Sequence, residues 1–180
     1  MVRSPTTKRI TVEEYHRMAE AGVFAPDDRV ELLDGEVLEL APIDSRHSGC
    51  VNRLTHLFVN RFGDRAVVAV QSPIEVDDWS EPQPDLVLLR LRADFYSEHH
   101  GLPPETLLVV EVANTSLRFD LGRKSPFYLA RGIPEVWVVD VVRQLVHVLT
   151  AAGARVLARG GSLSPQAFPD EVIQVTDILG

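Results

Sequence analysis

Glu111 lies inside Leu107-Leu-Val-Val-Glu-Val-Ala113, an apolar run that reads as a buried strand. A carboxylate there must pair with a base, accept several hydrogen bonds, bind a metal or take up a proton, because an isolated buried charge is too costly. Asp85 poses the same problem at the mouth of a second apolar run, Asp85-Leu-Val-Leu-Leu89. It follows Pro84, whose missing N–H suits the start of a strand. Lys124 is the third unusual residue, one of two lysines beside sixteen arginines. A lysine offers a compact charge with three rotatable donors, whereas an arginine is a planar fork. Asp120, Lys124 and Tyr128 stand at i, i+4 and i+8, hence on one face of a helix. If that helix packs beside the Glu111 strand, the amine reaches over the strand end. On the helix alone, a surface Asp120–Lys124 pair is an equally good account.

The elements that would position these groups follow from punctuation and periodicity. Thr11-Val-Glu-Glu14 has capping-box spacing and opens a short helix ending near Gly22. Asp34-Gly35, between Arg29–Leu33 and Glu36–Leu40, predicts a tight hairpin. Val51, Leu54, Leu57 and Phe58 recur at helical spacing within 45–62. Strands are predicted at Ala66–Val70 and Pro73–Val76, before the two acid-bearing strands. Residues 91–106, with His99-His100 and two prolines, read as a loop with one short helix. Asn114-Thr-Ser116 caps a helix from about Leu117 to Arg131, stopped by Gly132 and Pro134. Glu135–Val142 and Gln144–Thr150 form a strand pair, and Val172–Leu179 is a last apolar stretch. The sum is an α/β (α+β) chain, a mixed β-sheet flanked by helices, with an N-terminal helix and β-hairpin. No repeat or linker divides it, so residues 1–180 are expected to form one domain behind a flexible leader at 1–10.

Composition limits the function classes. A single cysteine, Cys50, excludes an internal disulfide and a cysteine-based zinc cluster. No segment has the length of a membrane span, and the start lacks the apolar core of a secretory signal, which points to the cytoplasm. A net charge of −8 argues against binding nucleic acid by charge alone. Divalent cations on an acidic site would reverse the field locally.

Taken together and in order, these residues resemble the PD-(D/E)XK nuclease superfamily, and more narrowly the Uma2 family of restriction-endonuclease-like proteins. The resemblance runs from about Thr11 to Leu179. It rests on Glu31-Leu-Leu-Asp-Gly35, His47 at a helix start, Ser72-Pro-Ile-Glu-Val76 and Pro84-Asp85. It rests further on Glu111-Val112, Asp120-Leu-Gly-Arg-Lys124 with Tyr128, and Gly132-Ile-Pro-Glu-Val-Trp-Val-Val-Asp140. It implies a restriction-endonuclease-like core with its acids at one sheet edge. Two positions depart from the pattern. Ala113 stands where the superfamily has its lysine, so Lys124 would supply that charge from the following helix. Asn114 replaces a serine common in the family.

The resemblance gives the residues roles. Asp85 and Glu111 are expected to hold Mg²⁺ or Mn²⁺ as hard oxygen ligands, with the Val112 carbonyl also facing the ion. Glu31 is either a third carboxylate or a solvated strand residue. Lys124 would orient water or stabilise the transition state. His47 would contact phosphate or shuttle a proton, and is otherwise a core or capping residue. Tyr128 closes the wall by hydrogen bonding, and Arg46, Arg118 and Arg123 are candidate phosphate contacts. The expected activity is metal-dependent endonucleolytic phosphodiester hydrolysis on DNA, with a homodimer needed to cut both strands. Two alternatives remain: an inactive nuclease fold that binds nucleic acid or protein, and a hydrolase of a small phosphorylated substrate.

Overall fold

A computed structural model describes residues 6–180; residues 1–5, half of the expected leader, lie outside the described residues. The chain divides into two compact units, Met1–Pro42 with Glu75–Pro82, and Ile43–Ile74 with Gln83–Gly180.

In the first unit, α1 (Val12–Glu20) begins with the expected capping box. Thr11 accepts from the Glu14 N–H, and the Glu14 carboxylate accepts from the Thr11 N–H. Lys8, from the leader, pairs with Glu14 at 2.7 Å. Strands β1 (Val30–Leu33) and β2 (Glu36–Glu39) pair through the Asp34-Gly35 turn. Both turn residues have positive φ, +52° and +77°, the geometry that matches the twist of a two-residue hairpin. Any Cβ at Gly35 would also meet Arg9 at 2.6 Å, so glycine is required twice over. Residues 75–82 turn back beside β1, where Leu32 and Glu81 form a bridge. His16 Nε2 lies within 3.0 Å of both Glu81 oxygens.

The second unit is built on a six-stranded mixed sheet in the order β3-β4-β5-β6-β7-β8. Its strands are β3 (Ala66–Val70), β4 (Leu86–Arg90), β5 (Thr106–Ala113), β6 (Glu135–Asp140), β7 (Leu145–Thr150) and β8 (Gly153–Ala158). Only β5 and β6 run parallel; every other neighbour pair is antiparallel. The parallel step needs a crossover, supplied by the helical segment 117–130. Leu86, Leu88, Leu108, Val110, Val112, Trp137, Val139 and Val148 alternate onto one sheet face. There they meet Val51, Leu54, Phe58 and Phe62 of α2 (Ser45–Phe62). Phe58 packs edge-on against Trp137 with ring centres 5.9 Å apart. Glu111 has the opposite parity, and its row partner on β6 is Val138. The core alternation therefore turns Glu111 away from α2.

The structure differs from expectation at three places. Residues 73–76 form no strand but a single bridge, Ile74 to Gly101, since Pro73 has no N–H to give a ladder. The helix expected over 117–131 is instead a switch of helix types: α3 (Leu117–Phe119), a π segment (Asp120–Lys124) and α4 (Ser125–Ala130). Pro126 cannot donate to the Gly122 carbonyl, and its ring crowds that position. The chain widens by one residue, so that the Ser125 N–H and hydroxyl both reach the Asp120 carbonyl, the hydroxyl at 2.7 Å. Third, the edge strand β8 joins the sheet although Gly153-Ala-Arg-Val-Leu-Ala158 carries no strand alternation. Short strands β9 (Ser162–Leu163) and β10 (Ile173–Gln174) pair before α5 (Val175–Leu179), within the expected last apolar stretch.

Among the described residues no helix is long and apolar enough to cross a membrane. Cys50 is wholly buried against the Ile178 carbonyl, and burial pushes its thiol pKa up to about 11. A thiolate reagent at neutral pH should leave the native thiol unmodified and titrate one thiol per chain only in denaturant. Rapid labelling of the folded protein would contradict this packing.

Candidate active site

The last turn of β5 organises the site. The antiparallel β4–β5 ladder ends at the Leu86–Val110 pair, next in sequence to Asp85 on one strand and Glu111 on the other. Asp85 Oδ2 accepts the Val112 N–H at 2.8 Å, which ties the acid to the backbone of the strand that carries the other. His47 Nε2 lies 3.0 Å from each Asp85 oxygen. A carboxylate can only accept, so the His47 proton sits on Nε2. His47 Nδ1 is buried with no hydrogen-bond partner among the described residues.

Glu111 is held from the other sheet face. Lys124 Nζ lies 2.8 Å from Glu111 Oε1, and both side chains are 5% exposed. The Tyr128 hydroxyl, wholly buried, donates to the same oxygen at 2.8 Å. Lys124 closes the π segment and Tyr128 lies in α4, so the widened turn delivers both groups to one carboxylate. The surface-pair account of Lys124 is thereby excluded. Asp120 is also buried, with its carboxylate accepting from the Ser116 hydroxyl at 2.5 Å.

Glu31 lies in β1 of the first unit and is wholly buried, so its solvated reading fails. Arg46 and Arg118 are exposed, and Arg123 is half-buried with its guanidinium 5.7 Å from the Phe119 ring centre. His99 and His100 do not pair as ligands: His99 Nε2 faces Arg92 at 2.6 Å and Nδ1 faces the His100 carbonyl.

Sequence reasoning missed the clamp that sets His47. Asp44 Oδ1 accepts the Arg46 and His47 N–H groups, both at 2.9 Å, as the N-cap of α2. Its Oδ2 accepts from the Asn114 side chain at the end of β5. An Asp directly before a helical pattern is a readable capping signal. The Asn114 link spans distant parts of the chain and leaves no local trace.

A pair of carboxylates on adjacent strands, with a lysine from the next helix on one of them, is an arrangement suited to phosphodiester chemistry. The Uma2 family, described as "Putative restriction endonuclease", matches residues 12–176. The chain belongs to the Uma2 family. Among solved structures it resembles that of a "putative nuclease belonging to DUF820" from Anabaena variabilis ATCC 29413. The TM-score is 0.77 at 13% identity, over 94% of this chain and 97% of the other. At that identity the likeness concerns the fold, a nuclease-like mixed sheet flanked by helices. Among curated proteins none matches this chain.

Whether this Uma2 site suits a divalent ion can be tested on its donors. Among the described residues no group of three or more His, Cys, Asp or Glu side chains is placed to hold a metal ion. Mg²⁺, however, commonly uses one or two carboxylates and completes its shell with water and substrate phosphate. Asp85 and Glu111 meet that smaller requirement in number and hardness.

Two outcomes follow from this geometry. Glu111→Ala removes a carboxylate that neutralises a buried amine and should cost about 3 kcal/mol in urea unfolding. Adding Lys124→Met should return much of that loss; a double variant as unstable as the single one would show that the ion pair is not its source. The second concerns Asp44, whose carboxyl is held below its ordinary range, chiefly by the His47 N–H and then by the Arg46 N–H and Asn114. A lowered folded-state pKa stabilises above the unfolded value and is lost as pH falls through the folded one. The gap in thermal midpoint between the native chain and Asp44→Ala should therefore be full at neutral pH and narrow on acidification below the ordinary carboxylate range. A gap independent of pH would refute the charge's part in the clamp.

Proposed function

We propose that this chain is a divalent-metal-dependent endonuclease that hydrolyses phosphodiester bonds in DNA. The observation that carries the reading is the Lys124 amine 2.8 Å from Glu111 in a buried setting. It supplies from the helix the cation that Ala113 cannot supply from the strand. Asp85, Glu111 and the Val112 carbonyl would hold Mg²⁺ or Mn²⁺, which when bound supplies Lewis-acid activation of water and phosphate. Lys124 places a fixed positive charge where negative charge develops on the phosphate. Tyr128 keeps the Glu111 carboxylate oriented, and His47 does the same for Asp85. Arg46, Arg118 and Arg123 are the proposed phosphate contacts. Cutting both strands of a duplex requires two such sites, which a homodimer would provide.

A second reading is a nuclease fold that binds without cutting. It is favoured by the engagement of both acids with protein donors: Asp85 with His47 and Val112, Glu111 with Lys124 and Tyr128.

Supercoiled plasmid incubated with Mn²⁺ or Mg²⁺ separates the two. The first reading expects nicking that chelator abolishes, that Asp85→Asn and Glu111→Gln eliminate, and that Lys124→Arg strongly impairs. Mn²⁺ should also raise the thermal midpoint of the native chain but not of Asp85→Asn, because an ion that binds only the folded state stabilises it. Cleavage that persists in both acid variants would sink the site assignment. Plasmid that is retained by the protein in a gel but not cut, with no thermal shift, would support the second reading.

A further inference from the structure

Beside the site, on the second unit alone, lies a cleft of about 410 Å³ that none of the acids enters. Its walls come from one face of α2 (Arg46, Gly49, Arg53), from the turn after β6 (Val142, Gln144) and from Leu179 of α5. The volume falls within the range of small-ligand sites, about 300–1,000 Å³. No lining residue is acidic, in a chain whose net charge is −8.

The cationic donors of this cleft are available. Arg46 makes neither a side-chain hydrogen bond nor an ion pair among the described residues, and it is exposed. Arg53 is fixed by its Nε and Nη2, which donate to the Ile178 and Leu179 carbonyls at 3.3 and 2.7 Å. Its Nη1 has no hydrogen-bond partner among the described residues. Opposite them, Val142 is 55% exposed and offers an apolar wall. Gln144 is held in a left-handed conformation, φ +58°. Its amide is locked at both ends, donating to the Val141 carbonyl at 2.8 Å and accepting from Arg159. The cleft thus joins two guanidinium groups to an apolar wall on a fixed frame. A nucleotide has that same division, an anionic phosphate attached to a sugar and base.

Arg46 immediately precedes His47, which contacts Asp85. The first turn of α2 therefore carries both a wall residue of the cleft and a partner of Asp85. We propose that this cleft receives one nucleotide of the substrate strand, its phosphate against Arg46 and Arg53 and its sugar and base against Val142 and Leu179. The proposal rests on the DNA-cleaving reading and gives the strand a direction over the N-terminal turns of α2. Arg53 becomes a binding residue that nothing in the local sequence marks, since its neighbours on the helix face belong to distant contacts.

Binding of a short fluorescent single-stranded oligonucleotide, followed by anisotropy in chelator so that nothing is cut, tests it. Arg46→Gln should weaken binding about tenfold, the expected loss for a charge-assisted hydrogen bond. The slope of log affinity against log salt should fall by about one, as for a lost phosphate contact. Val142→Asp, which changes no structural contact of Arg53, should weaken binding by placing a negative charge on the apolar wall. Native-like affinity and salt slope in both Arg46→Gln and Val142→Asp would overturn the cleft, while metal-dependent cleavage by the native chain would leave the nuclease reading standing. A native chain that binds no oligonucleotide at low salt would likewise overturn the cleft, whereas the nuclease reading is decided by plasmid cleavage.

Discussion

The buried ion pair between Lys124 and Glu111 is the constraint around which the second unit is arranged. An amine and a carboxylate taken out of water each lose several kcal/mol of hydration, and their attraction offsets this only with close geometry and further hydrogen bonds. Here the separation is 2.8 Å, and the Tyr128 hydroxyl adds a second donor to the same oxygen. The pair ties the crossover segment to the strand it crosses from. That segment is not a plain helix, for a separate reason. Pro126 removes one α-helical hydrogen bond, and the π turn that results keeps the Asp120 carbonyl satisfied by Ser125. Single-turn π segments are frequent at functional sites, where a local change of pitch re-aims side chains.

Asp85 is held by different means, and the contrast matters. Its partners are a backbone N–H and a histidine, both supplied by elements fixed independently of the π segment. His47 is placed by the Asp44 cap, and Asp44 is joined in turn to Asn114 at the end of β5. The same strand end therefore positions both acids, Glu111 directly and Asp85 through the Val112 amide and the α2 cap. A displacement of β5 would disturb the two together. This coupling gives Asn114, a departure from the family's usual serine, a mechanical role in the frame.

Much of this was legible in the sequence where the signal was local. The Thr11–Glu14 capping box, the Asp34-Gly35 turn and the apolar face of 45–62 each depend on contacts within a few residues, and each is found as expected. Glu111 was conspicuous because a charge in an apolar strand conflicts with burial, and the structure resolves that conflict with Lys124. The failures have physical causes as well, each its own. Strand 73–76 was inferred from composition while Pro73 lacked the donor to sustain it. The π segment followed from Pro126, a helix breaker visible in the chain, but its remedy depends on which carbonyl Ser125 can reach. Strand β8 is an edge with little burial, so no alternation was imposed on its side chains. The Asp44–Asn114 link and the Arg53 donors are tertiary and left no periodic trace.

Geometry, beyond rarity, favours a lysine at 124. A guanidinium is a planar fork that is best satisfied by two acceptors side by side. The Glu111 oxygen that Lys124 meets is also bonded by Tyr128, and the Tyr128 ring lies 5.9 Å from the amine. An ammonium accommodates this crowding because its three donors rotate about one axis and its charge is compact. A guanidinium in the same 5%-exposed space is broader and flat, and would crowd the phenol that shares the carboxylate oxygen. Lysine is therefore selected by the shape of the space that Glu111 and Tyr128 leave. In a chain with sixteen arginines and only one other lysine, Lys8, that space is a physical reason for a lysine at 124.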